Sequence, residues 1–297
     1  MTSKKKPTIV WFAAITCNGN THSLLSANAS RLELLFDSFD LIYHPSLTID
    51  KSLNDVLLQN EKIDFLLIEG AISANENFFS ISNDSTFNIL NKLALKSKHI
   101  IAVGSCASNG GIHAKFTQNS DICGINNSIN EEALINLEHN IINLTGCPVH
   151  PEWILQTLFT LKNYGKMQLD EQKRPKELYS TLAHHGCTRN EYFEWKVEGS
   201  FGEKEGCLFY EQGCRGPMTH SSCNKILWND ISSKTRVGMP CIGCTESDFP
   251  RENMLETKKN IGIPLDVPLG ISKRAYLSIT GIAKTFKIDR LNKKLMD

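Results

Sequence analysis

The sequence has no apolar run long enough to cross a membrane, because a spanning helix needs about 20 consecutive apolar residues and every apolar run here is much shorter. The first such run, at residues 8–12, is also too short for the hydrophobic region of a secretory signal. A twin-arginine pair is missing as well. We therefore predict a cytoplasmic protein that would need a partner to reside at a membrane.

An excess of charge of either sign is also missing. Lys and Arg together number 32, Asp and Glu together number 32, and the formal net charge at pH 7 is zero. Such a chain has no overall attraction to nucleic acid or anionic lipid. Hydrophobic residues make up 41% and charged residues 22% of the chain, which are ordinary values for a folded globular protein.

Cysteine, by contrast, is plentiful, with ten residues in a chain of 297. In a reducing compartment such cysteines are more often metal ligands than disulfide partners. Six of the ten lie between residues 187 and 244, a clustering that scattered core cysteines do not explain. The composition therefore favours a metal-binding protein.

The first half of the chain alternates between apolar runs and segments with helical spacing. Strands are predicted at residues 8–15, 63–68, 99–103 and 141–144, and helices from residue 23, at 87–96 and at 151–164. Near-continuous apolar strands separated by helices are typical of a doubly wound parallel sheet, so the predicted fold class is α/β.

The polar stretch at residues 166–180 is predicted to be a linker. It divides the chain into a first domain, residues 1–170, and a second domain, residues 180–297. The second has poor periodicity and frequent Gly, Pro and Cys. Such a segment needs metal sites or a large neighbour to hold its fold.

Three cysteines of the first half, Cys17, Cys106 and Cys147, each come just after a predicted strand. Ligands of open parallel sheets bind outside the carboxyl ends of the strands, so these thiols could converge there. Each lies in a segment that contains glycine, and glycine lets the backbone approach a bulky group. Cys123 follows no such strand, and we interpret it as structural.

The second half carries two adjacent histidines and six cysteines that are candidate ligands within residues 184–244. They are His184, His185, Cys187, Cys207, Cys214, Cys223, Cys241 and Cys244. A single Cys-x-x-Cys pair is a weak signal that also fits half a zinc site or a redox pair. Two structural zinc sites would use eight such ligands, but zinc would not explain the three cysteines of the first domain.

In order from residue 8 to about 250, these motifs resemble those of nickel–iron hydrogenase small subunits. The resemblance implies a flavodoxin-like first domain and an irregular second domain, with three iron–sulfur clusters. It also implies a separate large subunit that holds the nickel–iron centre, so none of this chain's ligands acts as an acid, base or nucleophile. Electrons from hydrogen would pass through this chain to an acceptor.

The resemblance also implies which residues hold each cluster. The proximal cluster falls to Cys17, Cys106 and Cys147. The distal 4Fe–4S cluster falls to His184, Cys187, Cys207 and Cys214, and the medial 3Fe–4S cluster to Cys223, Cys241 and Cys244. The glycine-rich face around the proximal cysteines is expected to be covered by the large subunit.

The sequence departs from the family pattern at Asn20, where a second proximal cysteine is usual. Asparagine is a poor iron ligand beside thiolates. We expect either a three-iron proximal cluster or a 4Fe–4S cluster whose fourth iron is held by water or by Asn20. The same substitution is a mark of the family's cytosolic uptake branch and favours that branch over the periplasmic one. The spacing from Cys207 to Cys214 is one residue longer than is usual.

Other kinds of protein would share part of this pattern of cysteine and histidine motifs. A hydrogen sensor that signals to a kinase would have a similar sequence, and a zinc-stabilised binding module would have no redox role. The related protein of respiratory complex I lacks the distal and medial motifs. Glu69, at the end of the second predicted strand, could handle protons near the proximal site or cap a turn.

Overall fold

The computed structural model describes residues 5–59, 62–76, 80–81, 83–117, 121–125, 141–255, 259–260, 263–264 and 267–285. The last residues of the second predicted domain, 286–297, lie outside this range. The chain divides into two compact units, Met1–Glu177 and Leu178–Asp297. The passage between them falls within the segment predicted as a linker.

The first unit is an α/β fold. Its β-strands are Thr8–Ala13 (β1), Asp40–Tyr43 (β2), Ile63–Glu69 (β3), Ile72–Ser73 (β4), Ser80–Ile81 (β5), Asp84–Ser85 (β6), Ser97–Val103 (β7), Ile122–Cys123 (β8) and Ile141–Leu144 (β9). Its α-helices are Gly19–Leu25 (α1), Ala29–Ser38 (α2), Leu53–Leu58 (α3), Thr86–Ala94 (α4), Ser105–Asn109 (α5), Gly111–Phe116 (α6) and Pro151–Tyr164 (α7).

Five of these strands form one sheet in the order β2-β1-β3-β7-β9, and all its pairs are parallel. Counted in chain order, the strands are arranged 2-1-3-4-5, which is the order of flavodoxin-like sheets. The predicted parallel sheet is confirmed. Strand β2 was not predicted, because it has four residues and only Ile42 among them is buried.

Local sequence explains where several helices begin. The Ser52 hydroxyl and the Asp55 carboxylate form a capping box at α3. The Ser85 hydroxyl accepts a hydrogen bond from the Asn88 N–H at the start of α4. Helix α7 begins with Pro151, as predicted, and the ring of His150 accepts a hydrogen bond from the Glu152 N–H.

The core of the first unit lies against the three central strands, whose inner residues are almost wholly buried. It contains Val10, Phe12, Leu66, Ile68, Ile100 and Ala102 from the sheet, with Ile89, Leu90 and Leu93 from α4. Since each buried aliphatic side chain contributes about 1.5–3 kcal/mol, this layer is the main source of stability in the unit.

The polar segment before the second unit is partly packed rather than solvated. Arg174 is 3% exposed, and its Nε donates to Asp170 Oδ2 at 2.7 Å. Asn143 in β9 donates through its backbone N–H to Lys173 O and through Nδ2 to Gln172 O. These bonds attach the segment to the edge of the sheet. The polar residues of the segment therefore form a hydrogen-bonded turn.

The second unit has little regular structure. After helix α8 (Lys176–Tyr179), it contains the helices Asn190–Glu194 (α9) and Lys273–Thr285 (α10), the strands Lys259–Asn260 (β10) and Ile263–Pro264 (β11), and 3-10 turns at Ala183–Gly186 and Gly216–Met218. Its buried cluster comprises Leu208, Phe209, Cys214, Met218 and Tyr276. Within the described residues, no helix is both long and apolar enough to cross a bilayer.

We predict that Ile68→Ala lowers the free energy of unfolding of the first unit by about 2–5 kcal/mol, because Ile68 is wholly buried and the change leaves a cavity. The matched control is Ile49→Ala at a side chain that is 97% exposed, which we expect to be nearly neutral. Urea unfolding followed by the fluorescence of buried Trp11 and Trp153 measures both. Equal effects would contradict the assignment of the core.

Candidate metal centres

The first candidate centre lies at the carboxyl edge of the sheet. Cys17 follows β1, Cys106 lies in α5 directly after β7, and Cys147 follows β9. The last two turns are joined, because the Ser105 N–H donates to Gly146 O and the Gly146 N–H donates to the Ser105 hydroxyl, each at 2.9 Å. The structure therefore brings the three predicted proximal cysteines to one edge.

Two glycines leave space beside these thiols. A Cβ added at Gly111, whose φ is +54°, would lie 2.6 Å from the Cys106 sulfur. A Cβ added at Gly19 would lie 3.2 Å from the Cys17 sulfur and 3.9 Å from Pro148 Cβ. Side chains here would crowd the sulfurs, so both the open space and the thiolate donor set fit an iron–sulfur cluster.

The Cys106 thiol is half-buried among groups that affect its charge. Burial raises its pKa, the Ile112 N–H lowers it, and the negative charges of Cys17 and Glu69 raise it further. The thiol is therefore protonated at neutral pH unless a cation displaces the proton. Such a site is suited to bind metal with release of a proton.

Asn20, which stands at the usual fourth proximal ligand position, has another role in this structure. It is 8% exposed, its Nδ2 donates to Val103 O at 3.0 Å, and its Oδ1 accepts from the Val149 N–H at 2.9 Å. Its amide therefore ties the turn after β1 to the end of β7 and to the turn after β9. To bind iron through Oδ1, Asn20 would have to share that oxygen between the iron and the Val149 N–H.

Glu69, at the end of β3, is wholly buried and holds the start of α1. Its Oε1 accepts from the backbone N–H groups of Asn20 and Thr21, at 2.9 and 3.2 Å. Its Oε2 accepts from the Thr21 hydroxyl at 2.5 Å and from Trp11 Nε1 at 3.0 Å. Four donors satisfy this carboxylate, which matches the capping role considered from the sequence.

The second candidate centre is a pocket in the second unit. His184, Cys187, Cys207 and Cys214, the four predicted distal ligands, all line it, together with Arg189, Leu208, Phe209, Gly216, Pro217, Asn224 and Thr235. The adjacent His185 is exposed.

Burial sets the charge state of these side chains. It raises the pKa of Cys207 to about 11 and that of Cys214 to about 12. Burial, followed by the charge of His185, lowers the pKa of His184 to about 4, so its imidazole is neutral and keeps a free lone pair. Neutral imidazole and displaceable thiol protons are what a metal site requires.

Arg189 is a residue of this pocket that the sequence did not reveal. It is 3% exposed, and its guanidinium donates to the carbonyl oxygens of Thr235, Glu205 and Gly206. Its backbone N–H donates to the Cys187 sulfur at 3.4 Å. Arg189 therefore holds together the loops that carry the thiols, and it places a positive charge beside them.

The third candidate centre comprises Cys223, Cys241 and Cys244, the predicted medial ligands. Burial raises the pKa of Cys223 to about 12, with further increases from the charges of Cys244 and Cys241. Burial likewise raises the pKa of Cys241 to about 12, and the charges of Cys214 and Cys244 add to it. These mutual effects require the three thiols to lie close to one another.

The second and third centres are neighbours. The Cys241 N–H donates to the Cys214 sulfur at 3.2 Å, and the Arg215 N–H donates to Cys241 O at 2.7 Å. Among the residues that the structure describes, no three His, Cys, Asp or Glu side chains converge as they would around one metal ion. A cluster of several iron and sulfide atoms is wider than one ion, so its thiolates stand further apart.

Comparison with known proteins finds hydrogenase small subunits among the proteins that this chain resembles. Residues 17–161 match the family model "NADH ubiquinone oxidoreductase, 20 Kd subunit", and residues 179–256 match the model for the C-terminal part of the NiFe/NiFeSe hydrogenase small subunit. The chain is 32% identical over 263 residues to the periplasmic NiFe hydrogenase small subunit 1 of Nitratidesulfovibrio vulgaris, covering 84% of this chain and 81% of that one.

Two further likenesses extend over most of the chain. The Hydrogenase-2 small chain of Escherichia coli is 28% identical over 267 residues, which cover 83% of this chain and 68% of that one. The solved structure of the Ni-Fe-Se hydrogenase from Desulfomicrobium baculatum aligns with a TM-score of 0.72 and 26% identity, covering 83% of this chain and 96% of that chain.

A five-stranded parallel sheet followed by a C-terminal hydrogenase small-subunit domain defines the class of this protein as a hydrogenase subunit. The chain belongs to the nickel–iron hydrogenase small-subunit family. It is a hydrogenase small subunit, and membership implies a large-subunit partner.

We predict that Asn20→Ala lowers the free energy of unfolding of the first unit by about 2–4 kcal/mol, because the buried Val149 N–H and Val103 carbonyl lose their partner. Asn28→Ala is the matched control, since Asn28 is exposed and makes no side-chain cap bond. Urea unfolding of both variants without added iron measures the difference. An Asn20→Ala variant as stable as the control would contradict the described contacts.

Proposed function

We propose that this chain transfers electrons from hydrogen oxidation at the nickel–iron centre of its large-subunit partner to an acceptor. Iron–sulfur clusters, when bound, supply one-electron redox chemistry, and three of them would form the path. The observation that carries the proposal is the pocket that unites His184, Cys187, Cys207 and Cys214. Its Cys214 sulfur accepts a hydrogen bond from Cys241, a predicted ligand of the next cluster.

In this proposal the ten ligand positions act only by binding iron. Cys17, Cys106 and Cys147 hold the proximal cluster, which the face around them presents to the large subunit in a heterodimer. His184, Cys187, Cys207 and Cys214 hold the distal 4Fe–4S cluster. Cys223, Cys241 and Cys244 hold the medial 3Fe–4S cluster. The buried thiols lose their protons on binding, which makes cluster assembly dependent on pH.

The proximal cluster has three protein thiolates in this proposal. The amide of Asn20 already serves Val103 and Val149. This arrangement favours a three-iron cluster, or a fourth iron held by water, over a fourth iron held by Asn20. Both forms leave Asn20 in its structural role.

His184 gives the distal site its electronic character. Its pKa of about 4 keeps the imidazole neutral at physiological pH. A neutral ligand in place of a thiolate makes the site less negative, which favours the reduced state and raises the reduction potential. The buried guanidinium of Arg189 acts in the same direction. A raised potential suits the cluster from which electrons leave.

We also propose that the protein belongs to the cytosolic uptake branch. Asn20 at the proximal position supports this assignment, because the same substitution marks that branch of the family. The relative from Nitratidesulfovibrio vulgaris is named as a periplasmic protein, so location is a point on which this chain would differ from it.

We predict that Cys106→Ser in the purified complex removes the proximal cluster, because serine oxygen is a poor substitute for a soft thiolate ligand. The expected result is less iron and sulfide and loss of one EPR signal. Cys123→Ser is the matched control: Cys123 lies in β8 and belongs to none of the three proposed centres. Equal iron contents in the two variants would contradict the proximal assignment.

The rate of dye reduction with hydrogen distinguishes an uptake hydrogenase from a hydrogen sensor. We expect the complex to reduce a redox dye rapidly with hydrogen as electron donor, because an uptake enzyme must sustain electron flow through the chain. Very slow dye reduction together with binding of a kinase would instead identify a hydrogen sensor. The measurement is the steady-state rate under hydrogen, with the complex assayed without hydrogen as control.

A further inference from the structure

Three hydroxyl groups lie close to proposed ligand sulfurs in the second unit. Thr235 Oγ1 is 3.5 Å from the Cys187 sulfur, and Thr219 Oγ1 is 3.7 Å from the Cys241 sulfur. Ser221 Oγ is nearest, at 2.7 Å from the Cys223 sulfur. A hydroxyl carries a single proton, so it stabilises a thiolate only if that proton is directed at sulfur.

The two threonines direct their protons elsewhere. The Thr235 hydroxyl donates to Asn224 Oδ1 at 2.8 Å. The Thr219 hydroxyl donates to Arg215 O at 2.6 Å. Each threonine therefore turns only oxygen lone pairs towards its neighbouring sulfur. In this arrangement neither threonine donates a hydrogen bond to sulfur.

Ser221 is arranged differently. Its Oγ accepts the Cys223 N–H at 3.1 Å, which leaves the hydroxyl proton to be donated to the Cys223 sulfur. The residue is 2% exposed, so bulk water does not compete for that proton.

We propose that Ser221 is a positioning residue of the medial centre, whose hydroxyl donates to the Cys223 thiolate and thereby raises the reduction potential of the medial cluster. The proposal rests on the proposed function, because it needs a cluster at Cys223, Cys241 and Cys244. Reduction adds negative charge to the ligand sulfurs, and a hydrogen bond to sulfur grows stronger as that charge increases. The reduced state therefore gains more than the oxidised state.

Ser222 supplies an internal comparison. It is adjacent to Ser221 and 4% exposed, and its Oγ has no hydrogen-bond partner within the described part of the chain. The two serines thus share residue type and burial, but only Ser221 donates to a ligand sulfur. Any effect that arises from removing a buried hydroxyl in general would appear at both positions.

The test is an EPR-monitored redox titration of the medial cluster in the purified heterodimer. We expect Ser221→Ala to lower the ratio of reduced to oxidised cluster at a fixed potential about tenfold, which is 59 mV for one electron. Ser222→Ala is expected to leave the ratio unchanged, and Ser221→Thr, which keeps a hydroxyl, to restore it. An unchanged potential in Ser221→Ala, or equal shifts in both alanine variants, would overturn the proposal.

Two observations on the wild-type protein distinguish failure of this inference from failure of the proposed function. A wild-type heterodimer with no medial EPR signal would refute the cluster assignment itself. If Ser221→Ala assembles no medial cluster, the wild-type protein decides the question by ENDOR spectroscopy after exchange into deuterated water. We expect an exchangeable proton that is coupled to the cluster. This coupling should also be present in the Ser222→Ala and Ser221→Thr variants. Absence of that coupling in the wild type would overturn the proposal.

Discussion

Burial of thiol groups is the constraint on which the second unit depends. Burial raises the pKa values of Cys214, Cys223 and Cys241 to about 12, and Cys214 is itself part of the small buried cluster. Because the described helices of this unit are short apart from α10, few apolar contacts hold its loops. Metal binding would then supply folding free energy directly, as it does in other small metal-dependent domains.

The first unit follows a different plan. Its parallel sheet has a continuous apolar core, so the fold does not depend on a metal, and the candidate centre is placed at one edge. Asn20 and Glu69 connect the turns at this edge through buried hydrogen bonds. A preorganised edge of this kind presents Cys17 and Cys106 to a ligand with little rearrangement. One chain thus combines a self-supporting domain with one that we expect its cofactors to stabilise.

Much of this could be predicted from the sequence. Apolar runs located β1, β3, β7 and β9, and cysteines after strands indicated the edge where they meet, because parallel strands share their carboxyl ends. Strand β2 escaped prediction because a short edge strand has little apolar signal. The helix predicted from residue 23 is two helices, α1 and α2, since hydrophobic spacing does not show the break at residues 26–28.

The hydrogen-bond roles could not be predicted in the same way. Asn20 bonds residues that are 83 and 129 positions away, and only the folded sheet brings these partners together. Arg189 and Ser221 stand in polar loops where periodicity carries no information. Whether a hydroxyl proton points at sulfur or at a carbonyl depends on the full set of neighbours, as the contrast between Ser221 and Thr219 shows.

The central claim is that cysteines on this chain gather iron and sulfide beside a catalytic partner. Its most direct test is purification of the native complex through a tag on this chain, followed by analysis for nickel, iron, zinc and acid-labile sulfide. We expect a brown complex in which a large subunit accompanies the chain, with iron, sulfide and nickel present. A colourless chain that carries zinc and no partner would contradict it.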